Sequence, residues 1–448
     1  MFEVAVFSVF FLLLTVGGVV NHLLIPVVCV TFFSFLGVRL HEFGLNLDLG
    51  RVAVFVAVMY VICVVLAGRR VNKFALIYFG VGSVFIVIPL LLFLLRGDWF
   101  FDYGYSLLQQ PHIRPLVQFF MRESTLLMLI LPFILKGDLG SSLLIKGVVL
   151  GTTIQCLLSL YQLVGILFLL PVWDYPMGVL QYVAGLPRVS GLAGEPRHLA
   201  FLLIPTICYC FSRLLRSNYS VGLGSKKIFF LLLLHALCLT LTFSTSGYVL
   251  LFISLVFTLL FSINLKKSLF AFLLIAPIVG LALSTAREGG LVEERLLARV
   301  SVDSFIRSEF SSAAAIEYVY YNPMKSFLGL GAGATEFYIR EMPSYVASYS
   351  NVENSVLSNL RTASGILALL LEYGVPCFII LLIMISFNWK KSRFDDVGSN
   401  ELSGVSFVFL ISIFITGVVG AGPLTPYFWL FFGMNFRGEK TSTDFERV

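Results

Sequence analysis

The chain has 448 residues, of which 58% are apolar and only 12% charged, with a formal net charge of +6. That composition excludes a soluble globule, because too little polar surface would remain to face water. The basic residues never form the continuous patch that nucleic acid requires, so no nucleic-acid partner is expected. Runs of about 17–20 apolar residues recur along the chain, long enough to cross a hydrocarbon core about 30 Å thick. In lipid every backbone polar group must be paired internally, and runs this long select helices over barrel strands.

The expected fold class is therefore an all-α polytopic integral membrane protein. It has one transmembrane domain over 1–448, with membrane lipids as its surroundings and about 12–14 transmembrane helices. In chain order the spans fall near 4–20, 22–38, 52–67, 74–95, 116–135, 147–171, 199–215, 228–243, 247–263, 268–284, 363–387, 404–419 and 424–436. Met1-Phe2-Glu3 lacks the basic region of a secretory signal and reads as leading into a retained first span. Short connections rich in Lys and Arg set the orientation. Arg69, Arg70 and Lys73, then Lys136, Arg213, Arg216, Lys226 and Lys227, Lys266 and Lys267, Lys390, Lys391 and Arg393, and the tail from Arg437 to Lys440 mark the cytoplasmic side. Trp99, Trp173, Trp389 and Trp429 near span ends fit an aromatic belt at the interfaces.

This topology leaves two long segments outside. The 172–198 loop carries the cluster Arg188-Val-Ser-Gly-Leu-Ala-Gly-Glu-Pro-Arg-His198, and 285–362 is a large loop expected to hold an amphipathic helix. Together they contain eight arginines and one lysine. Arginine offers a planar fork that grips phosphate or carboxylate oxygens bidentately, so an outer surface dressed with it suggests an anionic ligand. Within the larger loop a helix is expected from about Glu293 to Tyr321, with Leu296, Val300, Phe310, Ala313 and Val319 as its apolar stripe and Asn322-Pro323 as its stop. Arg295, Arg299, Asp303 and Arg307 follow at steps of four, on one face. Tyr318, Tyr320, Tyr321, Tyr338, Tyr345 and Tyr349 suit either stacking on sugar faces or filling a small loop core.

The seven cysteines lie in apolar runs and read as small hydrophobes, and the five histidines are scattered. No metal constellation is apparent, and no cofactor or metal is expected. His235, inside a span, reads as a hydrogen-bonded packing residue. Glu372, several turns into another span, reads as a structural intramembrane polar group paired with a neighbour. The Gly329-Leu-Gly-Ala-Gly333 run lacks the Lys-Ser/Thr ending and the strand–helix frame of a nucleotide loop.

Four ordered features together resemble the O-antigen polymerase and ligase superfamily of bacterial inner-membrane glycosyltransferases. They are the Arg-x-x-Gly…Gly-x-Pro-x-His segment from Arg188 to His198; the Thr-x-Ser-x-x-Gly helix start from Thr242 to Gly247; the external loop with Arg307, Pro323 and Gly329, Gly331 and Gly333; and Glu372-Tyr-Gly374 in the span that follows. The similarity covers about 185–385. The family's ligases carry a His about nine residues before that Glu-x-Gly, acting as base on the acceptor sugar. Ala363 stands there in this chain, between Thr362 and Ser364, and the large loop has no His at all. The Gly-Glu-Pro form at 194–196 and the Ser/Thr-rich helix start at 244–246 resemble the polymerase branch. The resemblance implies a metal-independent transferase of the GT-C type using undecaprenyl-pyrophosphate-linked oligosaccharide at the periplasmic side of the inner membrane. A chain-length-determining membrane protein is the partner it implies.

On that reading Arg188 and Arg197 would hold the departing pyrophosphate, whose charge grows as the glycosidic bond breaks. Headgroup contacts at the interface are the plainer account of both. Glu195 or His198 would take the proton of the acceptor hydroxyl, although Glu195-Pro196 also has the form of an ordinary helix start. Arg307 is the loop arginine the resemblance favours. Arg299 is as easily an ion-pair partner of Asp303, and Arg361 either clamps a second pyrophosphate or snorkels to the interface. The rival functions are a ligase joining finished polymer to lipid A core, and a flippase or other transporter of lipid-linked oligosaccharide.

Overall fold

A computed structural model of the chain describes residues 31, 49–68, 73–96, 116, 126–134, 137–170, 182–183, 186–193, 195–215, 225–260, 310–331, 335–339, 342–344, 365–394, 407–415 and 426–436. Within these residues the protein is mostly helical. First come α1 (Leu49–Leu66), α2 (Lys73–Arg96), a 3-10 turn at Leu127–Leu129 running into the short α3 (Leu131–Ile134), and α4 (Gly137–Leu167). A two-residue antiparallel pair, β1 (Tyr182–Val183) with β2 (Leu186–Pro187), precedes α5 (Pro196–Leu215), α6 (Ser225–Leu241) and α7 (Thr245–Leu260). Then follow α8 (Phe310–Tyr321), α9 (Pro323–Leu328), α10 (Thr335–Ile339), the long α11 (Gly365–Phe394), helical residues 407–415 (α12) and α13 (Pro426–Phe436). The expected spans 4–20 and 268–284, and 22–38 apart from residue 31, lie outside the described residues.

Two stretches, Leu143–Leu167 and Leu369–Phe387, are long and apolar enough to cross a bilayer, and Ala53–Leu66 and Ser246–Leu259 are shorter apolar helices. This is compatible with the all-α membrane class. So is the polarity of α4. Its inward face buries Thr152, Gln155, Ser159 and Gln162, while Leu150, Leu157, Tyr161 and Val164 face outward. That distribution reverses a soluble helix and suits one whose outer face meets hydrocarbon and whose inner face hydrogen-bonds its neighbours.

Some boundaries differ from expectation for local reasons. α4 runs 31 residues from Gly137 rather than starting at 147. At 1.5 Å per residue it reaches about 46 Å, beyond the hydrocarbon thickness. The end of the expected 116–135 span is a 3-10 turn and a four-residue helix, since Pro132 has no N–H to donate to the carbonyl of Met128 four residues earlier. Trp429 is not an interfacial belt residue. It is fully buried in α13 with Phe428, Phe431 and Phe432, its ring edge-on to Phe428 at 5.0 Å. A helix apolar on every side belongs in the interior.

The main core joins residues of α1, α4 to α7, α11, α12 and α13. A second, smaller core gathers Ala314, Ala315 and Tyr318 of α8, Leu330, Ile339 of α10 and Leu371 of α11, with Leu94 of α2 packed against it. The helix of the large loop stops at Asn322-Pro323 as the sequence predicts, with Pro323 then opening α9. Of its expected stripe Ala313 is buried, but Val319 lies at the surface and Tyr318 takes the inward position instead.

Candidate functional site

Residues 188–193 and 195–198 form a folded plug set between helix ends. Val189 N–H donates to the Leu241 carbonyl at 3.1 Å and Arg188 Nε donates to the Thr242 carbonyl at 2.9 Å. The last carbonyls of α6 have no partner within the helix, and a cation there is favoured by the aligned peptide dipoles. Arg188 therefore caps α6. From below, two buried glutamines of α4 hold the turn: Gln162 Oε1 accepts from the N–H groups of Ser190 (3.0 Å) and Gly191 (3.2 Å), and Gln155 Oε1 accepts from Leu192 N–H (2.9 Å). Positions 155, 159 and 162 share one helical face. Gly191 adopts φ +55, and a β-carbon there would lie 2.6 Å from Gln155 Oε1 and 2.8 Å from Ser159 Oγ, so only glycine fits.

Beneath this plug the polar ladder continues. Thr152 Oγ1 lies 3.0 Å from Thr206 Oγ1 and 3.1 Å from His235 Nε2, while His235 Nδ1 lies 2.8 Å from the Leu231 carbonyl. A carbonyl only accepts, so Nδ1 carries the proton in the neutral ring and Nε2 accepts from Thr152. His235 is thus the packing residue that the sequence suggests.

The segment then enters α5 in the expected way. The Glu195 carbonyl accepts from Leu199 N–H at 3.1 Å, and Pro196 occupies the first helical position. Arg197 Nη2 is 4.0 Å from Glu195 Oε2, a pair about 40% exposed that contributes little to stability. Arg197 Nε, by contrast, is buried and has no hydrogen-bond partner among the described residues. His198 lies in the first turn, ahead of the expected 199–215 span. Burial lowers its pKa from the usual 6.5, outweighing the opposite pull of the Glu195 carboxylate, so the ring is neutral near pH 7.

The Thr242–Gly247 motif completes the plug. Thr242 carries the carbonyl that Arg188 grips. Ser244 caps α7 by accepting from Gly247 N–H at 3.2 Å, and Gly247 packs so close to Ala200 of α5 that a β-carbon would fall 2.6 Å from the alanine methyl. Two motifs separated in sequence are one structural unit.

The other two motifs interlock as well. α11 is broken at Gly374 (φ +75, ψ 168). Pro376 has no N–H to offer the Glu372 carbonyl four residues earlier. Gly331 N–H takes its place at 3.0 Å, and Leu330 N–H donates to the Leu371 carbonyl at 2.6 Å. Gly329 (φ +94) lies directly against the backbone of Tyr373 and Gly374. The Gly-x-Gly run is therefore a strand-like splice into a broken helix. Glu372 is buried beside it.

The structure thus brings Arg188, Glu195, Arg197 and His198 onto one short segment. Arg299, Arg307, Arg361 and Ala363 lie outside the described residues, as do Gly333, Tyr345 and Tyr349. Tyr318 and Tyr338 pack together in the small core at 5.8 Å, whereas Tyr320 and Tyr321 are exposed. Sequence reasoning missed Gln155, Ser159 and Gln162. Their signal was present as three polar residues at a spacing of four and three inside an apolar run. Among the described residues no group of three or more His, Cys, Asp or Glu side chains gathers as a metal site. Compared with known proteins, the chain matches no family model and no curated protein sequence.

Proposed function

We propose that the chain is a GT-C type membrane glycosyltransferase that polymerises a bacterial surface polysaccharide, of the O-antigen class. It transfers a nascent glycan from undecaprenyl pyrophosphate onto an undecaprenyl-pyrophosphate-linked repeat unit at the periplasmic face of the inner membrane. The acceptor hydroxyl oxygen bonds to the anomeric carbon of the donor glycan as the bond from that carbon to the pyrophosphate oxygen breaks. The hydroxyl proton passes to the Glu195 carboxylate or the His198 imidazole. The pyrophosphate leaves with the bonding electrons, its charge met by Arg188 and Arg197, with Arg307, Arg299 and Arg361 as further candidates from the large loop.

The observation that carries this reading is the composition of the plug. Two arginines, a carboxylate and a neutral imidazole stand on one segment, pinned by buried glutamines at the start of a helix, where anions are favoured. Arg197 gives the sharper test, since among the described residues its side chain is seen in a long ion pair with Glu195 and its buried Nε has no hydrogen-bond partner. Purified protein incubated with lipid-linked repeats should build a gel ladder. Arg197→Ala should abolish the ladder while eluting as the parent does; a full ladder from Arg197→Ala refutes the assignment. Deletion of the gene should leave single repeat units on the lipopolysaccharide, whereas loss of a ligase would leave none.

One observation favours a second reading. A membrane helix interrupted at Gly374 beside buried Glu372 has the form of the broken helices that line transport paths. Movement of lipid-linked oligosaccharide across vesicles, with no new glycosidic bond, would select the transporter.

A further inference from the structure

α8 and α9 have two faces of opposite fate. One face is sealed: Ala314, Ala315 and Tyr318 fill the small core, and Glu317 Oε2 accepts from the N–H and the hydroxyl of Ser344 at 3.0 and 2.7 Å. The other carries Ile316, Val319, Tyr320, Met324, Phe327 and Leu328, between 37% and 80% exposed. It recurs at helical spacing through both helices, too large and continuous a patch to leave in water. None of those six side chains is charged.

The packing sets the depth of this face. Gly329, at the end of α9, touches the backbone of Gly374, five residues into the apolar stretch that begins at Leu369. At 1.5 Å per residue that is about 7.5 Å along the span. On another side the same core is met by Leu94, two residues from the end of α2 at Arg96. The helix pair is therefore level with the ends of two apolar helices, and α11 itself leaves Ile379 and Ile383 exposed further along the same apolar stretch.

We infer that α8 and α9 are a bilayer-binding element, seated in the headgroup and upper acyl region of the leaflet, rather than part of a water-exposed loop. The chemistry that recognises this face is a phospholipid surface. Apolar side chains enter the acyl boundary, and Tyr320 presents the amphipathic ring that favours membrane interfaces. The inference is independent of the reaction proposed above.

The test uses the full chain in phosphatidylcholine vesicles with bromine on the upper acyl carbons. Met324→Trp, and separately Tyr320→Trp, adds an emitter on this face, and the signal of the unsubstituted chain is subtracted. Ile383→Trp on the exposed side of α11 calibrates quenching at the lipid surface. We expect brominated lipid to quench the added emission at least twofold in all three variants, with aqueous iodide leaving positions 324 and 320 nearly unchanged. If iodide quenches those two and bromine does not, the face meets water and the inference falls. Shielding from both quenchers would mean a protein cover, such as a second copy, and equally overturns it. Loss of quenching at 383 as well would instead fault the membrane span itself.

Discussion

Replacing Gly329 by alanine should be one of the most damaging single-methyl changes in this chain, and the structure says by how much. At φ +94 and ψ 149 Gly329 lies in an extended region open essentially to glycine alone, where an L-residue incurs roughly 1–3 kcal/mol of backbone strain. Its β-carbon would also lie 2.7 Å from both Gly374 N and the Tyr373 carbonyl carbon, atoms of a helix backbone that cannot rotate aside. Relief requires the 329–331 segment to move off α11, breaking the Leu330 to Leu371 and Gly331 to Glu372 hydrogen bonds, at about 1 kcal/mol each. The total is about 3–5 kcal/mol. Gly68→Ala is the matched control, with φ +81 but nothing within 4 Å, so only the strain of about 1–2 kcal/mol applies. Gly80→Ala, helical and unobstructed, should stabilise by about 0.5–1 kcal/mol. The assay is the temperature at which half of the detergent-solubilised protein ceases to be monodisperse, which tracks kinetic stability where unfolding is irreversible. The expected order is Gly80→Ala, parent, Gly68→Ala, then Gly329→Ala several degrees below the control. If Gly329→Ala melts together with Gly68→Ala, the splice between the loop and α11 does not exist in solution.

Gln162→Leu strips the acceptor from two buried N–H groups and should destabilise the plug by about 2–4 kcal/mol. Trypsin should then cut after Arg188 or Arg197 in the variant and spare the parent; equal resistance would show that the glutamine does not hold the turn. For His198 the folded-state pKa is lowered below 6.5 by burial, so the unfolded chain takes up that proton first. Its contribution to stability is complete above about pH 6.5 and falls as the pH drops below it. His198→Gln should flatten that part of the profile between pH 7 and 5, and an unchanged slope would contradict the burial. If His198 serves as the base, the acid limb of the polymerisation rate should also lie below pH 6.5 in the parent.

Much of the fold was legible because the signals are local. The stop at Asn322-Pro323, the start at Glu195-Pro196 and the buried, hydrogen-bonded His235 each follow from one or two residues and their immediate spacing. The failures share a different cause. Trp429 was misplaced because span ends attract tryptophan, but here a helix apolar on all sides is swallowed by the core. Val319 was put on the inward face because apolarity alone cannot tell lipid from protein interior. The glutamines at 155 and 162 were passed over because their worth lies in a loop 28–37 residues away. Nor could spacing reveal that the Gly-x-Gly run and Glu-x-Gly are two halves of one splice, a partnership that exists only once Pro376 has removed an N–H from α11.

The arginine-rich dress of the segments expected outside suggested an anionic ligand, and Arg188 shows that the suggestion has a competitor. Its Nε meets the open C-terminal carbonyls of α6, and those carbonyls carry partial negative charge of their own. A planar guanidinium suits this better than the flexible ammonium of lysine, so capping alone accounts for arginine at 188. The two explanations are not exclusive, since a guanidinium fixed by Nε has its plane set for whatever the remaining N–H groups reach. They do predict different things: loss of a cap lowers stability, whereas loss of an anion clamp lowers turnover. Arg197 is where they separate. Among the described residues its Nε is buried without a partner, and its ion pair with Glu195 is long and 43% and 33% exposed at the two side chains. The case for pyrophosphate binding therefore rests more heavily on Arg197 than on the residue that opens the motif.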